Sequence, residues 1–261
     1  FGGSSLASAE QFKKVGSIIR ADKSRMFVVP SAPGKRFSSD TKVTDMLYSC
    51  YGAAIREKKF TDQLEAIKDR YQQIIDGLGL SISLDRDFEI INENFGRKIG
   101  RDYAASRGEY LNGKIMANYL GYEFVDPYDV IYFNEEGNLN AYKTEKLMAK
   151  RLEECPKAVI PGFYGQAKDG RVKTFSRGGS DVTGSIVAGA SGADVYENWT
   201  DVSGFLIADP RIIKDPKGIN TITYRELREL SYMGASVLHE DAIFPVRSKG
   251  IPSNIKNTNR P

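Results

Sequence analysis

The stretch Phe175-Ser176-Arg177-Gly178-Gly179-Ser180-Asp181-Val182-Thr183-Gly184-Ser185-Ile186-Val187-Ala188 decides how the rest of the chain is read. It has the form of a short strand, a glycine turn and a helix. The adjacent Gly178 and Gly179 let the backbone turn sharply and lie close to a ligand. Ser180 is placed to cap the helix, with Asp181 beside it in the first turn. A helix N-terminus offers free N–H groups and a partial positive charge, which suits phosphate or carboxylate. Arg177 adds a planar fork matched to carboxylate oxygens, and Asp181 sets a negative charge within one turn of it. The stretch reads as one wall of a site for a small charged molecule. Taken alone, it reads equally as an ordinary strand-to-helix turn.

Working outward, the chain opens on a second glycine turn, Phe1-Gly2-Gly3-Ser4-Ser5. An amphipathic stretch from Ala7 to Arg20 follows, with Phe12, Val15, Ile18 and Ile19 on one face. This makes a second anion-cradle candidate with a helix behind it. Met26–Ser31 is an apolar run that predicts a buried strand, left through the loop Ser31-Ala32-Pro33-Gly34-Lys35. Helical patterning resumes near Thr41 and runs to about Tyr119, broken near Gly77-Leu78-Gly79 and at Gly100. Strands are predicted at Glu123–Val125, Asp129–Phe133 and Ala158–Phe163, with a helix near Tyr142–Glu154. Lys168-Asp169-Gly170-Arg171 is a hairpin turn that delivers the chain into the central stretch.

Beyond the central helix, Asp194–Thr200 predicts a strand and Asp201–Gly204 its loop. Asp209-Pro210-Arg211 is a turn, Tyr224–Met233 a helix ending at Gly234, and another helix starts near His239. Ile251–Ile255 predicts a last strand. Strands alternating with helices predict a three-layer α/β/α sandwich around a central, mostly parallel sheet. In such folds ligands bind at the carboxyl ends of the strands.

The bulk composition narrows the class. The 261 residues suffice for one large α/β domain or two lobes sharing a core. A net charge of +3, with basic residues spread among acidic ones, gives no footprint for nucleic acid. The cluster Arg56-Glu57-Lys58-Lys59 follows a helical pattern and reads as a solvated face. No apolar run approaches a membrane span and no signal peptide opens the chain, so no membrane partner is expected. Cys50 and Cys155 lack CxxC spacing, which points to a reducing, cytoplasmic setting. One histidine, His239, and two scattered cysteines provide no metal site and no Ser-His-Asp relay.

Four motifs in series resemble the catalytic domain of the aspartate kinases, a branch of the amino acid kinase family. Phe1-Gly2-Gly3-Ser4-Ser5 resembles that group's opening Lys-Phe-Gly-Gly-(Thr/Ser)-Ser. Ser176-Arg177-Gly178-Gly179-Ser180-Asp181 matches (Thr/Ser)-Arg-Gly-Gly-Ser-Asp, and Trp199-Thr200-Asp201-Val202-Ser203-Gly204 through Asp209-Pro210-Arg211 is similar to Trp-Thr-Asp-Val-x-Gly…Asp-Pro-Arg. Met233-Gly234-Ala235-Ser236-Val237-Leu238-His239 resembles its Gly-Ala-x-Val-Leu-His block. The resemblance spans the whole chain. It implies the amino acid kinase fold, with an aspartate-binding lobe over about residues 1–170 and an ATP-binding lobe over about 171–261.

The resemblance further implies transfer of the ATP γ-phosphoryl group to the side-chain carboxylate of L-aspartate. The product is 4-phospho-L-aspartate, on the route to lysine, threonine and methionine. A carboxylate is already a nucleophile at pH 7, so catalysis reduces to positioning and charge neutralisation. By similarity, Arg177 pairs with the α-carboxylate and Glu109, in Ser106-Arg107-Gly108-Glu109, accepts the amino group. Ser31, Thr44, Gly178, Gly179 and Ser180 line the same pocket. Gly2, Gly3, Ser4, Ser5, Thr200, Asp201, Leu206, Arg211 and Ser236 match the ATP side. Asp181, Arg177 and Gly3 take the catalytic positions, Asp181 orienting a catalytic lysine. Mg²⁺ is expected to travel with ATP, held by phosphates and water rather than by a protein cage. A homodimer is the family expectation.

Two departures bear on these expectations. The catalytic lysine of the resembled family sits just before Phe-Gly-Gly, where this chain begins at Phe1. Without it, turnover is expected to fall severely while ATP binding is partly kept, since such groups supply several kcal/mol in the transition state. Many members carry a lysine where Ser236 stands, and serine supplies no charge. The chain stops at Pro261, about where small regulatory domains begin in the family, so a catalytic fragment or unregulated form is expected, insensitive to lysine or threonine. Two rival readings remain: a related carboxylate kinase such as acetylglutamate kinase, against which Glu109 argues, and a non-catalytic ligand-binding module. A nucleotide-binding oxidoreductase is disfavoured because neither glycine turn has GxGxxG spacing.

Overall fold

The computed structural model describes residues 1–176, 178–202, 204–206, 213–214, 216–232 and 240–261. Its organising element is a set of parallel strands. β1 (Phe27–Val28) and β2 (Glu123–Phe124) each pair in parallel with β3 (Ala158–Val159), giving the order β1-β3-β2. β6 (Tyr196–Thr200) pairs in parallel with β9 (Ser253–Asn257) over five residues. Phe1 and Gly2 join these two sheets. Phe1 N donates to Val29 O at 2.9 Å and Ser31 N donates to Phe1 O at 3.1 Å, the pattern of a parallel bridge. On its other side, Gly2 N donates to Trp199 O at 2.9 Å. The order across the molecule is therefore β2-β3-β1, then Phe1–Gly2, then β6-β9.

Helices cover both faces. α1 (Ala9–Ala21), α2 (Val43–Ile55), α3 (Thr61–Leu78), α4 (Asp85–Gly96) and α5 (Arg101–Leu120) enclose one core, which takes Val28 and Val159 from the sheet. α7 (Ala141–Glu153) and α8 (Gly179–Ser191) enclose a second, which takes Ala158 and Ile160. A third cluster joins α8 to α9 (Tyr224–Tyr232), α10 (Glu240–Ser248) and β6. Successive residues 158, 159 and 160 thus point alternately into opposite cores, as a strand buried on both faces requires. This is the three-layer α/β/α arrangement with a mostly parallel sheet. Two antiparallel pairs lie outside it: β4 (Tyr164–Gln166) with β5 (Val172–Thr174), turned at Gly170, and β7 (Phe205–Leu206) with β8 (Gly218–Ile219).

Local chemistry corrects several expectations. The segment 129–133 is not a strand throughout. Asp126 caps Tyr128 N and Pro127 occupies the first helical position, so α6 (Pro127–Val130) forms and only Tyr132 and Phe133 reach isolated bridges. Arg56–Lys59 follow the end of α2 rather than continuing it, with Glu57 at φ 57°, and all four side chains are exposed. The first glycine turn does not lead straight into a helix. A 3₁₀ turn over Gly3–Leu6 intervenes, and α1 begins at Ala9 with Ser8 accepting from Gln11 N. The strands predicted at Met26–Ser31 and Ala158–Phe163 are shorter, pairing only over Phe27–Val28 and Ala158–Val159, while β6 and β9 each begin two residues later than predicted.

The segments 3–4 and 32–34 are in direct main-chain contact. Gly34 N donates to Gly3 O at 2.8 Å. A Cβ on Gly34 would lie 2.6 Å from Gly3 C, and one on Gly3 would lie 2.8 Å from Ala32 O. Backbone atoms cannot yield as a flexible side-chain tip can. Gly34→Ala is therefore expected to destabilise the protein by about 1–3 kcal/mol. The measurement is a urea unfolding curve, which should show a lower midpoint at unchanged slope.

Candidate active site

Several of the residues singled out from sequence lie at the carboxyl ends of the parallel strands. Ser31 follows β1, Gly3–Ser5 follow the Phe1–Gly2 bridge, Gly162 follows β3, and Thr200–Asp201 end β6. The loop after β1 is fixed from beneath by Arg70 of α3, which is buried. Its guanidinium donates to Gly34 O at 2.6 Å and Thr41 O at 3.3 Å, and meets Asp40 at 3.0 Å. Arg36 also grips Asp40, and these hydrogen bonds and charges hold the Asp40 carboxyl well below the usual carboxylate range.

One side of the site is built on α5. Gly108 brings that helix against the loop, since a Cβ there would meet Ala32 Cβ at 2.8 Å and stand 3.8 Å from Thr44 Oγ1. Tyr71 donates to Gly108 O at 2.7 Å and locks the helix from below. Glu109 is consequently buried, 6% exposed, with its carboxyl accepting from Ala32 N. Its Oε2 has no hydrogen-bond partner among the described residues. Burial pushes its pKa up to about 8, partly countered by main-chain N–H groups of Ala32 and Glu109 and by the charge of Arg107. Arg107 is itself caged by the rings of Tyr103, Tyr110 and Tyr164. One turn further along, Asn112 is fully buried and donates from Nδ2 to Ser31 O at 2.6 Å.

The opposite side is built on α8. Ser180 is not its cap, contrary to the sequence expectation. Gly178 occupies that position with φ 55° and ψ 26°, and no side chain caps the helix. The left-handed turn that only glycine adopts without penalty starts the helix two residues earlier, leaving Ser180 inside the first turn against Gly162. Gly179 in turn packs where a Cβ would be 2.6 Å from the Phe163 ring. Phe163 has φ 84°, an uncommon and strained backbone for a non-glycine. Thr183 Oγ1 accepts its N–H and Phe175 N donates to its carbonyl, so the strain is held in place.

Asp181 is half-buried, and Asn198 Nδ2 donates to its Oδ1 at 2.9 Å. Desolvation raises its pKa, partly offset by the hydrogen bond from Asn198. A cavity of about 280 Å³ between β1 and β6 is lined by Phe1, Ser31, Ser180, Asp181 and Asn198 among others. A wider cleft of about 800 Å³ has Tyr48, Arg101, Phe163, Lys173, Ser176 and Val182 on its walls. Ser31 thus connects the two halves: it bonds to Phe1, which stands by Asp181, and to Asn112, which stands by Glu109.

Thr200 and Asp201 sit at the end of β6, tied to its neighbour strand by Thr258 N and Asn257 Nδ2. Gly2 and Gly3 serve the backbone contacts described above, and Ser4 is half-buried beside Gly34. Ser5 departs from its expected role: it is buried and its hydroxyl pairs with Thr258 Oγ1 at 2.7 Å, a link between the 3₁₀ turn and the chain after β9. Leu206 is described only by its main chain in β7. Arg177, Arg211 and Ser236 lie outside the described residues, as do Asp209, Pro210, Gly234 and His239. The sequence reading missed Asn198 and Asn112. Their signal was an amide within otherwise well-patterned elements, one in the middle of a strand and one three residues after Glu109.

Fold and site together define an α/β protein whose polar groups gather at the carboxyl edge of a parallel sheet. The amino acid kinase family matches residues 1–257, and the chain belongs to that family. It is 42% identical to aspartokinase 3 of Bacillus subtilis, over all of this chain and 61% of that protein. Its structure is similar to that of the allosteric aspartate kinase of Clostridium acetobutylicum, with TM-score 0.95 and 54% identity over all of this chain and 60% of that one. It is also similar to Escherichia coli aspartokinase III in complex with lysine and aspartate, with TM-score 0.84 and 25% identity over all of this chain and 62% of that one. The chain therefore spans about 60% of the length of these relatives.

The buried Glu109 gives a stability signature. An unfolded glutamate titrates near pH ~4.3, well below the folded value of about 8. The folded state therefore holds the proton more tightly. This contribution is fully present below the unfolded value and is lost progressively as pH rises to about 8. Arg107, Tyr71 and Tyr48 are the ionisable groups that sense this charge. Urea unfolding of the ligand-free protein should show wild type losing stability relative to Glu109→Gln between about pH 5 and pH 8. A constant difference across that range would place the carboxyl in water.

Proposed function

We propose that this chain is the catalytic part of an aspartate kinase, transferring the ATP γ-phosphoryl group to the side-chain carboxylate of L-aspartate. The observation that carries the reading is the buried Glu109 carboxyl with an unpaired oxygen, set beside the Ser31–Gly34 loop and Thr44. A buried acceptor of this kind is costly without a partner, and a substrate ammonium supplies one. The 42% identity to an aspartokinase across the whole chain supports the same assignment. Glu109 also argues against an acetylated amino acid as substrate, which has no free ammonium to offer.

In this reading residues of about 1–170 hold aspartate and about 171–261 hold ATP. Glu109 takes the ammonium, Arg177 the α-carboxylate, and Ser31, Thr44 and the Gly178–Ser180 turn shape the pocket. The reacting carboxylate needs no general base, because it is ionised at neutral pH. The protein orients it in line with the γ-phosphate and compensates the charge that spreads over the phosphoryl oxygens. Asp181, fixed by Asn198, positions a cationic group beside the transferring phosphoryl. Gly2–Ser4 and Thr200–Asp201 face the nucleotide.

Mg²⁺ supplies charge neutralisation on the phosphates when bound. Among the described residues no three acidic, histidine or cysteine side chains converge as a cage, so we assign its ligands mainly to ATP oxygens and water. Among those residues no helix is long and apolar enough to cross a membrane. A cytoplasmic homodimer on the route to lysine, threonine and methionine completes the proposal.

The test is ATP turnover with L-aspartate by the full-length protein, trapping the acyl phosphate as a hydroxamate. Hydroxamate should require both aspartate and Mg²⁺ and fall at least a hundredfold, roughly, in Arg177→Ala. Glu109→Gln should raise the aspartate KM about 10–100-fold and leave the ATP KM within about twofold. ATP binding without hydroxamate would favour a ligand-binding module instead. Calorimetry adds an independent reading: below pH 8 aspartate should displace the Glu109 proton, so heats should vary with buffer ionisation enthalpy in wild type and not in Glu109→Gln.

A further inference from the structure

Glu109 does not stand alone on α5. Asn112 lies three residues further on, on the same helix face, and is 0% exposed. Its amide is oriented by chemistry: Ser31 O can only accept, so the NH₂ side must face it, and Nδ2 does so at 2.6 Å. The Oδ1 is therefore turned away from the loop carbonyl. It is buried and has no hydrogen-bond partner among the described residues, as is true of Glu109 Oε2. Two orphaned acceptors within one helical turn, both beside residues 31–32, form an unusual concentration. Native proteins leave few buried polar atoms unpaired, and each such atom asks for a partner.

An ammonium group carries three N–H donors and no acceptor. One acceptor from Glu109 leaves two of those donors to be satisfied. We propose that Asn112 is a second recognition residue for the substrate ammonium, with Oδ1 accepting one N–H while Glu109 Oε2 accepts another. This rests on the aspartate kinase reading above. The division of labour has a physical logic: a carboxylate supplies the charge, and a neutral amide supplies direction without adding a second buried negative charge. The same amide holds Ser31 O, and Ser31 N is bonded to Phe1 O. Asn112 thereby ties the ammonium end of the pocket to the strand bridge beside Asp181. It discriminates against dicarboxylates of the same length that lack the amino group.

The experiment compares L-aspartate with succinate, which keeps both carboxylates and lacks the ammonium. Dissociation constants for each are measured by calorimetry on the full-length protein, in wild type, Asn112→Leu and Asn112→Ala, alongside hydroxamate formation. Wild type should prefer aspartate strongly, and each variant should reduce the succinate-to-aspartate ratio of dissociation constants about tenfold or more, as expected for a hydrogen bond to a charged group. The ATP KM should stay within about twofold. A purely structural role through Ser31 would weaken both ligands equally and leave the ratio unchanged, and that result would overturn the inference. Asn112→Ala adds no bulk and keeps the test open if Asn112→Leu fails to fold. Absence of hydroxamate in wild type would overturn the aspartate reading and this inference with it. Hydroxamate in wild type with an unchanged ratio in the variants would remove this inference alone.

Discussion

Two main-chain segments approach each other more closely than any side chain would permit, and the rest of the molecule depends on that contact. Phe1–Gly2 lies between β1 and β6 and hydrogen-bonds to both, so the two parallel sheets become one. Immediately beyond, Gly3 meets Gly34 through a main-chain hydrogen bond. The loop after β1 is thereby drawn over the strand ends, and Arg70 fixes it from below. Everything assigned to ligand binding is referenced to this junction. Ser31 and Ala32 reach α5, and Phe1 reaches Asp181.

The consequence for chemistry is a site whose polar groups are buried before any ligand arrives. Glu109 loses water because Gly108 lets α5 press against the loop, and its proton affinity rises accordingly. Asp181, half-buried at the start of α8, is also partly desolvated, with Asn198 as its one side-chain donor among the described residues. Such groups are destabilising in the empty protein, and their cost is recovered when a ligand of complementary charge binds. The strained Phe163 backbone, held by Thr183 and Phe175 against the Gly178–Gly179 turn, belongs to the same pattern of preorganisation.

Much of the architecture was legible because its signals are local. The glycine turn before α8, the hairpin turn at Lys168–Arg171 and the helix breaks at Gly79 and Gly100 each follow from backbone chemistry within a few residues. Other readings failed because a neighbouring residue had a stronger local preference. Asp126 and Pro127 imposed a helical turn where the apolar run suggested a strand, and Gly178 took the cap that Ser180 had been given. Ser5 was misread for a different reason. Its partner, Thr258, is 253 residues away, and no local pattern announces such a pairing.

The sequence by itself determined the class of fold, the order of its elements and the kinds of groups brought to the site, because periodicity, turn chemistry and motif composition are properties of short stretches. Only the tertiary structure decided which of those groups lost water and which kept a partner. Glu109 on an exposed helix would be an ordinary carboxylate; packed under Ala32 it is a buried acid with an orphaned oxygen. Asn112 and Asn198 acquired roles only when Ser31 and Asp181 were folded against them. Burial and hydrogen-bond satisfaction are sums over everything that surrounds an atom, and those surroundings come from segments that lie far apart in the chain.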